Sequence, residues 1–163
     1  MKFLGISGGL RSHSVNTALL EAAQIIVPDQ IEWRLAPGIG NLPPFNPDFE
    51  HPDFEHPDLE PAVPEAVSKW RSSIGWADAL VISSPEYAHG TPDSLKNALD
   101  WLVSGPDFVG KPVAILGVAG SGLHARASLI EVVTTMDGRV IFDASVMIAV
   151  IRIPLNHFIY PCE

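Results

Sequence analysis

Apolar residues along the chain fall into two patterns, short continuous runs and longer segments with helical spacing. The continuous runs predict strands at residues 2–7 (KFLGIS), 31–35, 79–83 (ALVIS), 113–119 (VAILGVA) and within 144–151. The helical spacing predicts helices at residues 15–27, around 62–76, from Thr91 and Pro92 onward, and at about 124–136. In the third helix we expect Thr91 to cap the N-terminus and Pro92 to lie in the first turn.

The alternation of apolar strands with amphipathic helices predicts an α/β fold. We expect a doubly wound, five-stranded parallel sheet that forms one domain over residues 1–163, an ordinary length for a single domain. Ligands of such folds bind beyond the carboxyl ends of the strands. The loops at residues 7–14, 84–90 and 119–122 follow the first, third and fourth predicted strands, so they form the candidate site.

Composition places the chain among globular proteins that bind small molecules. Hydrophobic residues make up 47% of it and charged residues 18%, and no apolar stretch reaches the length of a membrane span. The N-terminus lacks the layout of a signal peptide, so we expect a cytoplasmic protein without a membrane partner. The net charge of −9 and the ten scattered Lys and Arg residues argue against a nucleic-acid partner. The single Cys162 excludes a disulfide within the chain.

Residues 47–60 (PDFEHPDFEHPDLE) repeat a five-residue unit nearly three times. Their histidines and carboxylates suggest a metal site, but proline at every fifth position prevents a helix that would align the ligands. A duplication in a surface loop is the simpler explanation, and we expect no metal.

The first loop, within GISGGLRSHSVN (5–16), contains two adjacent glycines between a strand and a helix. It is not a P-loop, because no lysine follows the glycines, and the spacing of Gly5, Gly8 and Gly9 does not match a dinucleotide fingerprint. Backbone N–H groups at the helix N-terminus and hydroxyl side chains can still hold a phosphate there. Polar groups for this role come from Ser7, Ser12, Ser14, Asn16 and Thr17, with the charge of Arg11. The alternative, that Ser14 only caps the helix, stays open.

Residues 120–125 (GSGLHA) formally match the dinucleotide pattern G-x-G-x-x-A. The match is weak by itself, because it follows the fourth strand and no acidic residue ends the next strand about twenty residues later. We therefore draw no nucleotide assignment from it alone.

The segment SSPEYAHGTPDSLKNALDWLVSG (83–105), taken with GISGGLRSHSVNTALL and GKPVAILGVAGSG, resembles the NADPH-dependent FMN reductase family. That family includes quinone, chromate and azo-compound reductases on a flavodoxin-like fold. The resemblance implies FMN as cofactor and NADPH or NADH as co-substrate. It also implies that a small-molecule electron acceptor takes the electrons, after a hydride has passed from nicotinamide to the flavin.

The resemblance assigns cofactor-binding candidates to each loop. It assigns the FMN phosphate to Arg11, Ser14 and Asn16, and Ser7, Gly9, Ser12 and Thr17 of the same loop are further candidates. It assigns the isoalloxazine ring to Pro85, Glu86 and Tyr87, and Ala88 and His89 of the same loop are further candidates. Candidates at the other edge of the ring are Ala119, Gly120, Ser121 and Gly122. Because the chemistry belongs to the flavin, no catalytic acid or base is assigned.

The chain departs from the family pattern in three places. Gly9 stands where the family has a second serine, which removes a hydroxyl from the first loop. Ala88 stands where asparagine is common, and His89 and Asp93 where glycine is frequent. We expect His89 to be a partly exposed loop residue, and the alternative is that it faces the nicotinamide or substrate pocket. The chain ends at HFIYPCE without room for the family's final helix. The apolar run at 144–160 would then need another cover, which predicts a homodimer or homotetramer.

Two other functions fit part of the pattern. A flavodoxin-type electron carrier would bind FMN without reacting quickly with NADPH, although the first loop lacks the T-G-x-T character of flavodoxins. A scaffold that has lost its flavin is the second, because the second loop and the C-terminus depart from the family.

Overall fold

The computed structural model describes residues 1–49, 63–119 and 122–149. Its strands are β1 (Lys2–Ser7), β2 (Glu32–Leu35), β3 (Ala79–Ser83), β4 (Pro112–Val118), β5 (Arg139–Val140) and β6 (Met147–Ile148). Its α-helices are α1 (Val15–Ile26), α2 (Glu65–Trp76), α3 (Asp93–Asp100) and α4 (Leu123–Thr135). Short 3-10 turns lie at Ile39–Asn41, Pro47–Phe49, Pro106–Phe108 and Phe142–Ala144.

The strands form one parallel sheet in the order β2-β1-β3-β4-β5. In the centre, Gly5 of β1 is level with Leu35 of β2 on one side and Val81 of β3 on the other. This is the strand order of flavodoxin-like folds, in which β2 is added on one side of β1 and the later strands on the other side. The predicted α/β fold is confirmed, and the strands predicted at 2–7 and 79–83 have the observed bounds.

The outer edge of β4 carries two short strands in succession. β5 pairs with the start of β4 and β6 with its end, and the 3-10 turn Phe142–Ala144 separates them. Across this gap, Ser145 Oγ accepts the N–H of Ile115 at 3.0 Å and donates to the carbonyl of Ile141 at 2.8 Å. The strand predicted within 144–151 is found at Met147–Ile148, whereas β5 was not predicted.

The start of α3 differs from the prediction. Pro92 occupies the N-cap position, and no side chain caps this helix. Thr91 Oγ1 instead donates to the carbonyl of Ala125 at 3.3 Å. The expectation that Thr91 caps α3 was therefore wrong, because its hydroxyl is used to join the segment before α3 to α4.

The two faces of the sheet are covered unequally. Helices α2, α3 and α4 pack on one face around a large core that includes the buried Trp70 and Trp101. Their indole N–H groups donate to the carbonyls of Ala98 at 2.7 Å and Pro43 at 2.8 Å. On the other face, within the described ranges, α1 buries a small cluster around Leu20. The apolar cover is thus concentrated on the α2–α4 side.

Some predictions concern residues outside the described ranges. They are the repeat at 47–60 beyond Phe49, Gly120 and Ser121 of the third loop, and the expectations for residues 150–163, including Cys162 and the absent final helix. Among the described residues, no helix is long and apolar enough to cross a membrane.

Candidate functional site

The first loop is tied to the strands beside it by backbone and hydroxyl groups. Ser7 Oγ lies 2.8 Å from Thr17 Oγ1 and accepts the N–H of Gly9 at 3.2 Å. The N–H of Gly8 donates to the carbonyl of Ser83, at the end of β3, at 2.8 Å. Because β1, α1 and β3 all contribute, the loop has a fixed path across the carboxyl edge of the sheet.

Gly9 and Ser14 share one small space in this loop. Ser14 caps α1, since its hydroxyl accepts the N–H of Thr17 at 3.4 Å. A Cβ atom on Gly9 would lie well inside contact distance of Ser14 Oγ. The hydroxyl that this loop lacks at position 9 is therefore replaced in space by the hydroxyl of Ser14.

Asn16 is buried and turned toward the end of β3. Its Oδ1 accepts a hydrogen bond from Ser83 Oγ at 3.0 Å, and both residues are buried. A Cβ on Gly9 would lie 3.7 Å from Asn16 Nδ2, so the amide nitrogen lies on the side of the first loop. Asn16 therefore joins the first turn of α1 to the end of β3, and its amide nitrogen remains a donor beside the first loop.

Arg11 and Ser12 differ from the rest of the first-loop candidates. Both are exposed, and neither side chain makes a hydrogen bond or ion pair with the described parts of the chain. The fold thus brings together Ser7, Gly9, Ser14, Asn16 and Thr17. It leaves Arg11 and Ser12 projecting at the outer side of the loop.

The second loop closes with a tight turn. Tyr87 and Gly90 exchange both backbone hydrogen bonds, at 3.1 and 2.9 Å. Between them, Ala88 has φ 48° and His89 has φ 60°. Positive φ at both central residues is typical of a type I′ turn, which favours Asn followed by Gly. The two departures from the family pattern therefore fall on the two positions where an L side chain is strained.

Glu86 links the second loop to α4. Its Oε2 accepts the backbone N–H groups of His124 at 2.8 Å and Ala125 at 2.9 Å. The N-cap residue of α4 is Gly122, with φ 85°, and it has no side chain to cap the helix. Glu86 supplies the missing acceptor from another loop, at the helix end that favours negative charge.

These contacts change the acidity of Glu86. The hydrogen bond from Ala125 lowers the pKa of Glu86 most, and the bond from His124 and the nearby imidazoles add to it, against the opposing effect of desolvation. The carboxylate is therefore ionised at neutral pH and acts as an acceptor.

Two imidazoles lie beside this carboxylate. His89 and His124 stack with ring centroids 4.3 Å apart and an angle of 14° between planes. Both are exposed, which confirms the expectation for His89. The stack, the Glu86 contacts and the Thr91 hydroxyl connect the second loop and its surroundings to the first turn of α4.

A cavity of about 290 Å³ opens where these elements meet. It lies between the first turn of α1, the start of the second loop, the end of β4 and the N-terminal half of α4. Polar groups reach it from Asn16, Ser84, Glu86 and Arg126. The rest of its wall is mainly apolar, from Val15, Pro85, Ile115, Leu116, Val118, Leu129 and Met147. Apolar walls with a few polar groups suit a flat aromatic ligand.

A second cavity, of about 230 Å³, lies on the other side of the first loop. Ser7, Gly9 and Thr17 line it from the loop, and residues 35–39 line it from the segment after β2. The first loop therefore has open space on both sides.

Arg126 belongs to the site, although the sequence did not single it out. It lies four residues after Gly122, in the helix that follows the third loop, and it lines the larger cavity. Its Nε is buried and has no hydrogen-bond partner within the described ranges. The signal that could have found it is its helical spacing from a candidate loop residue, which places both on one side of α4.

The donor set fits a flavin mononucleotide. An aromatic ring system requires apolar walls and donors for its carbonyl and ring nitrogen atoms, and the larger cavity offers both. The phosphate requires N–H and hydroxyl donors at a helix N-terminus, as in the first loop. The unpartnered Nε of Arg126 and the smaller cavity beside Ser7, Gly9 and Thr17 are further places where a ligand group can be received.

A parallel sheet in this strand order, with a candidate site at its carboxyl edge, is typical of flavodoxin-like α/β proteins. The chain belongs to the NADPH-dependent FMN reductase family, whose model matches residues 1–151. The family is described as NADPH-dependent FMN reductases.

Individual relatives agree with this membership. The chain is 42% identical over 130 residues to an NAD(P)H-dependent FMN reductase of Pseudomonas aeruginosa, and the match covers 78% of this chain and 65% of that protein. It is 30% identical over 158 residues to a quinone reductase of Escherichia coli K12, which covers 93% of this chain and 79% of that protein. The chain thus spans slightly less than two thirds of the Pseudomonas relative.

A solved structure gives the same result for the fold. The flavoenzyme FerB, an NAD(P)H:(acceptor) oxidoreductase from Paracoccus denitrificans, superposes with a TM-score of 0.72 at 27% sequence identity. The match covers 86% of this chain and 74% of FerB.

Proposed function

We propose that this protein uses FMN to transfer electrons from NADPH or NADH to a small-molecule acceptor such as a flavin or a quinone. The observation that carries the proposal is the meeting of the first turn of α1, the second loop and α4 around one cavity at the carboxyl edge of the sheet. Family membership and the quinone reductase relative support the same activity.

Each of the three loops would contact a different part of FMN. In the first loop, Ser7, Gly9, Ser14, Asn16 and Thr17 would surround the phosphate, while Arg11 and Ser12 would close over it from outside. In the second loop, residues 85–89 would border the ring. In the third loop, Ala119 and Gly122 would border its other edge, together with Gly120 and Ser121, which lie outside the described residues.

Bound FMN would accept a hydride from nicotinamide and then reduce the acceptor. The residues of this chain position the ligand and exclude water from it. Glu86 is occupied by two backbone N–H groups, so it holds the second loop against α4 and has no proton to give at neutral pH. Apolar wall residues such as Leu116 and Val118 keep water out of the cavity. No general acid or base is required.

Three measurements on the purified protein test this proposal. Quenching of FMN fluorescence on titration should show binding, and NADPH absorbance should fall when FMN or a quinone is added. Binding of FMN without NADPH oxidation would instead support the electron carrier. Absence of FMN binding would support the scaffold. Rates with NADPH and NADH against several acceptors would then identify the preferred substrates.

We further propose a homodimer or homotetramer in the cytoplasm, with no nucleic-acid partner. The thin cover of the α1 face supports the assembly, because Ile25 and Ile26 are each 83% exposed there. The net charge of −9 supports the absence of nucleic acid. Light scattering on the purified protein tests the assembly, and a monomer at all concentrations would contradict it.

A further inference from the structure

Two opposite charges line the larger cavity without pairing to each other. Glu86 and Arg126 both contribute to its wall. The hydrogen bonds seen for the Glu86 carboxylate go to the N–H groups of His124 and Ala125, and no ion pair joins it to Arg126 within the described residues. The Glu86 carboxylate is thus bonded to backbone N–H groups of α4, and the Arg126 guanidinium remains available to a molecule in the cavity.

The backbone of Arg126 has a hydrogen-bond partner, but its side-chain Nε has none. Its backbone N–H donates to the carbonyl of Gly122 at 2.9 Å, as expected in a regular helix. Its side-chain Nε is buried and bonds to nothing in the part of the chain that the structure describes. A buried donor without a partner is rare in folded proteins, and a ligand is one of the explanations it calls for.

The position of Arg126 directs its side chain toward the site. It lies in the second turn of α4, and long side chains of a helix point back toward the helix N-terminus. Here that end of the helix meets the second and third loops at the carboxyl edge of the sheet. A chain with a net charge of −9 repels anions in general, so an anionic ligand needs a local cation of this kind.

We propose that the guanidinium of Arg126 binds an anionic, oxygen-bearing group of the molecule that occupies this cavity. A planar guanidinium is suited to such a group because it offers several N–H donors in a fixed arrangement. Two sources present this chemistry. One is the pyrimidine edge of the flavin, which carries the negative charge of the reduced ring. The other is a carboxylate or sulfonate on the electron acceptor. This inference rests on the proposed function.

The first arm of the test compares Arg126→Gln with Arg139→Gln. Arg139 is exposed on β5 and outside the cavity, so its substitution removes the same charge without touching the site. Binding of oxidised FMN is measured by fluorescence quenching, and the midpoint potential of the bound flavin by titration. If Arg126 faces the flavin, Arg126→Gln should weaken the binding of reduced FMN about tenfold more than that of oxidised FMN. This difference lowers the midpoint potential of the bound flavin by about 30 mV. Arg139→Gln should leave it unchanged.

The second arm uses a pair of quinones with the same ring, one bearing a sulfonate and one neutral. If Arg126 faces the acceptor, Arg126→Gln should raise the KM for the sulfonated quinone about tenfold and leave the KM for the neutral one unchanged. Arg126→Lys keeps the charge and should restore part of whichever effect is seen. Thermal unfolding of each variant shows that it is folded.

Either effect supports the proposal and identifies the source of the anion. Equal behaviour of Arg126→Gln and Arg139→Gln in both arms, with a wild-type protein that binds FMN and oxidises NADPH, would overturn this inference and leave the proposed function intact. A wild-type protein that neither binds FMN nor oxidises NADPH would overturn both.

Discussion

The hydroxyl of Ser14 occupies the space that a side chain on Gly9 would need. The same hydroxyl caps α1 by accepting the N–H of Thr17. A serine at position 9, as in the family pattern, therefore requires a different arrangement of Ser14. The absence of a second hydroxyl in this loop is coupled to the cap of α1 and is not a simple loss.

Gly9→Ser is expected to displace the Ser14 hydroxyl and to lower the free energy of unfolding by about 1 kcal/mol, the usual worth of such a cap. Urea denaturation measures this loss. In the double variant Gly9→Ser with Ser14→Ala, the new serine meets no hydroxyl, so the two losses should not add. Additive losses would show that the two positions are independent.

Ala88→Gly is expected to stabilise the protein. Ala88 is exposed and has φ 48°, so glycine removes strain without loss of packing, and we expect a gain of about 0.5–1 kcal/mol. Ala127→Gly, at an exposed position of α4, is the matched control and should lose about the same amount. Chemical denaturation of both variants compares them, and a loss for Ala88→Gly would contradict a strained turn.

Glu86→Gln is expected to destabilise the protein in a pH-dependent way. The pKa of Glu86 is lowered below its ordinary value of 4.5, so its carboxylate stabilises the fold above that pH, and the stabilisation is lost as the pH falls through the folded pKa. Melting temperatures of wild type and variant should therefore differ at pH 7 and converge as the pH falls through the folded pKa of Glu86.

A second carboxylate provides the control for Glu86. Glu65 also has a lowered pKa, through its ion pair with Lys69, but it lies on α2 away from the cavity. Glu65→Gln should leave FMN affinity unchanged, whereas Glu86→Gln should reduce it, because the second loop is no longer held against α4. Equal FMN affinity in both variants would show that this contact serves stability alone.

Ser83→Ala is expected to cost about 1–3 kcal/mol of unfolding free energy, because it leaves the buried Asn16 Oδ1 without a donor. Ser72→Ala is a suitable control, since Ser72 also donates to an acceptor, the carbonyl of Ser68, but at an exposed site. Its cost should stay below about 0.5 kcal/mol. Equal costs in denaturation experiments would mean that water replaces the Ser83 hydroxyl.

Arg11→Ala is expected to weaken FMN binding by roughly ten- to a hundredfold, the worth of a charge-assisted hydrogen bond to phosphate. Because Arg11 is exposed and makes no hydrogen bond or ion pair with the described residues, the unfolding free energy of the free protein should not change. Fluorescence titration with FMN and with riboflavin, which has no phosphate, tests the assignment. A similar loss for both ligands would remove Arg11 from the phosphate site.

The parts of the fold that could be predicted are those with a strong local pattern. β1 and β3 contain short apolar runs, and their ends were predicted correctly because glycine or serine follows each of them, at Gly8 and Ser84. β5 has two residues and depends on its pairing with β4, so no local pattern marks it. The cap at Thr91 was predicted wrongly because its hydroxyl bonds to Ala125, far away in the sequence.

For the site, too, the sequence predicted features with a local pattern but not contacts between distant residues. Its loops could be placed from the strand order, since the carboxyl ends of parallel strands share one edge. The roles of single residues depended on contacts between loops. Glu86 bonds to residues 38 and 39 positions later, and the unpartnered Arg126 becomes visible only once α4 is packed beside the cavity. Such contacts have no periodicity to detect.

The unequal cover of the sheet has a consequence for the dynamics of the molecule. Amide hydrogens of α1 should exchange with solvent through small local openings, whereas those of β3 and β4 should exchange only when the whole molecule unfolds, because little apolar surface holds α1 in place. The first loop is attached to α1. Binding of a phosphate in that loop would therefore stabilise α1 against local opening and slow amide exchange on this side of the sheet selectively.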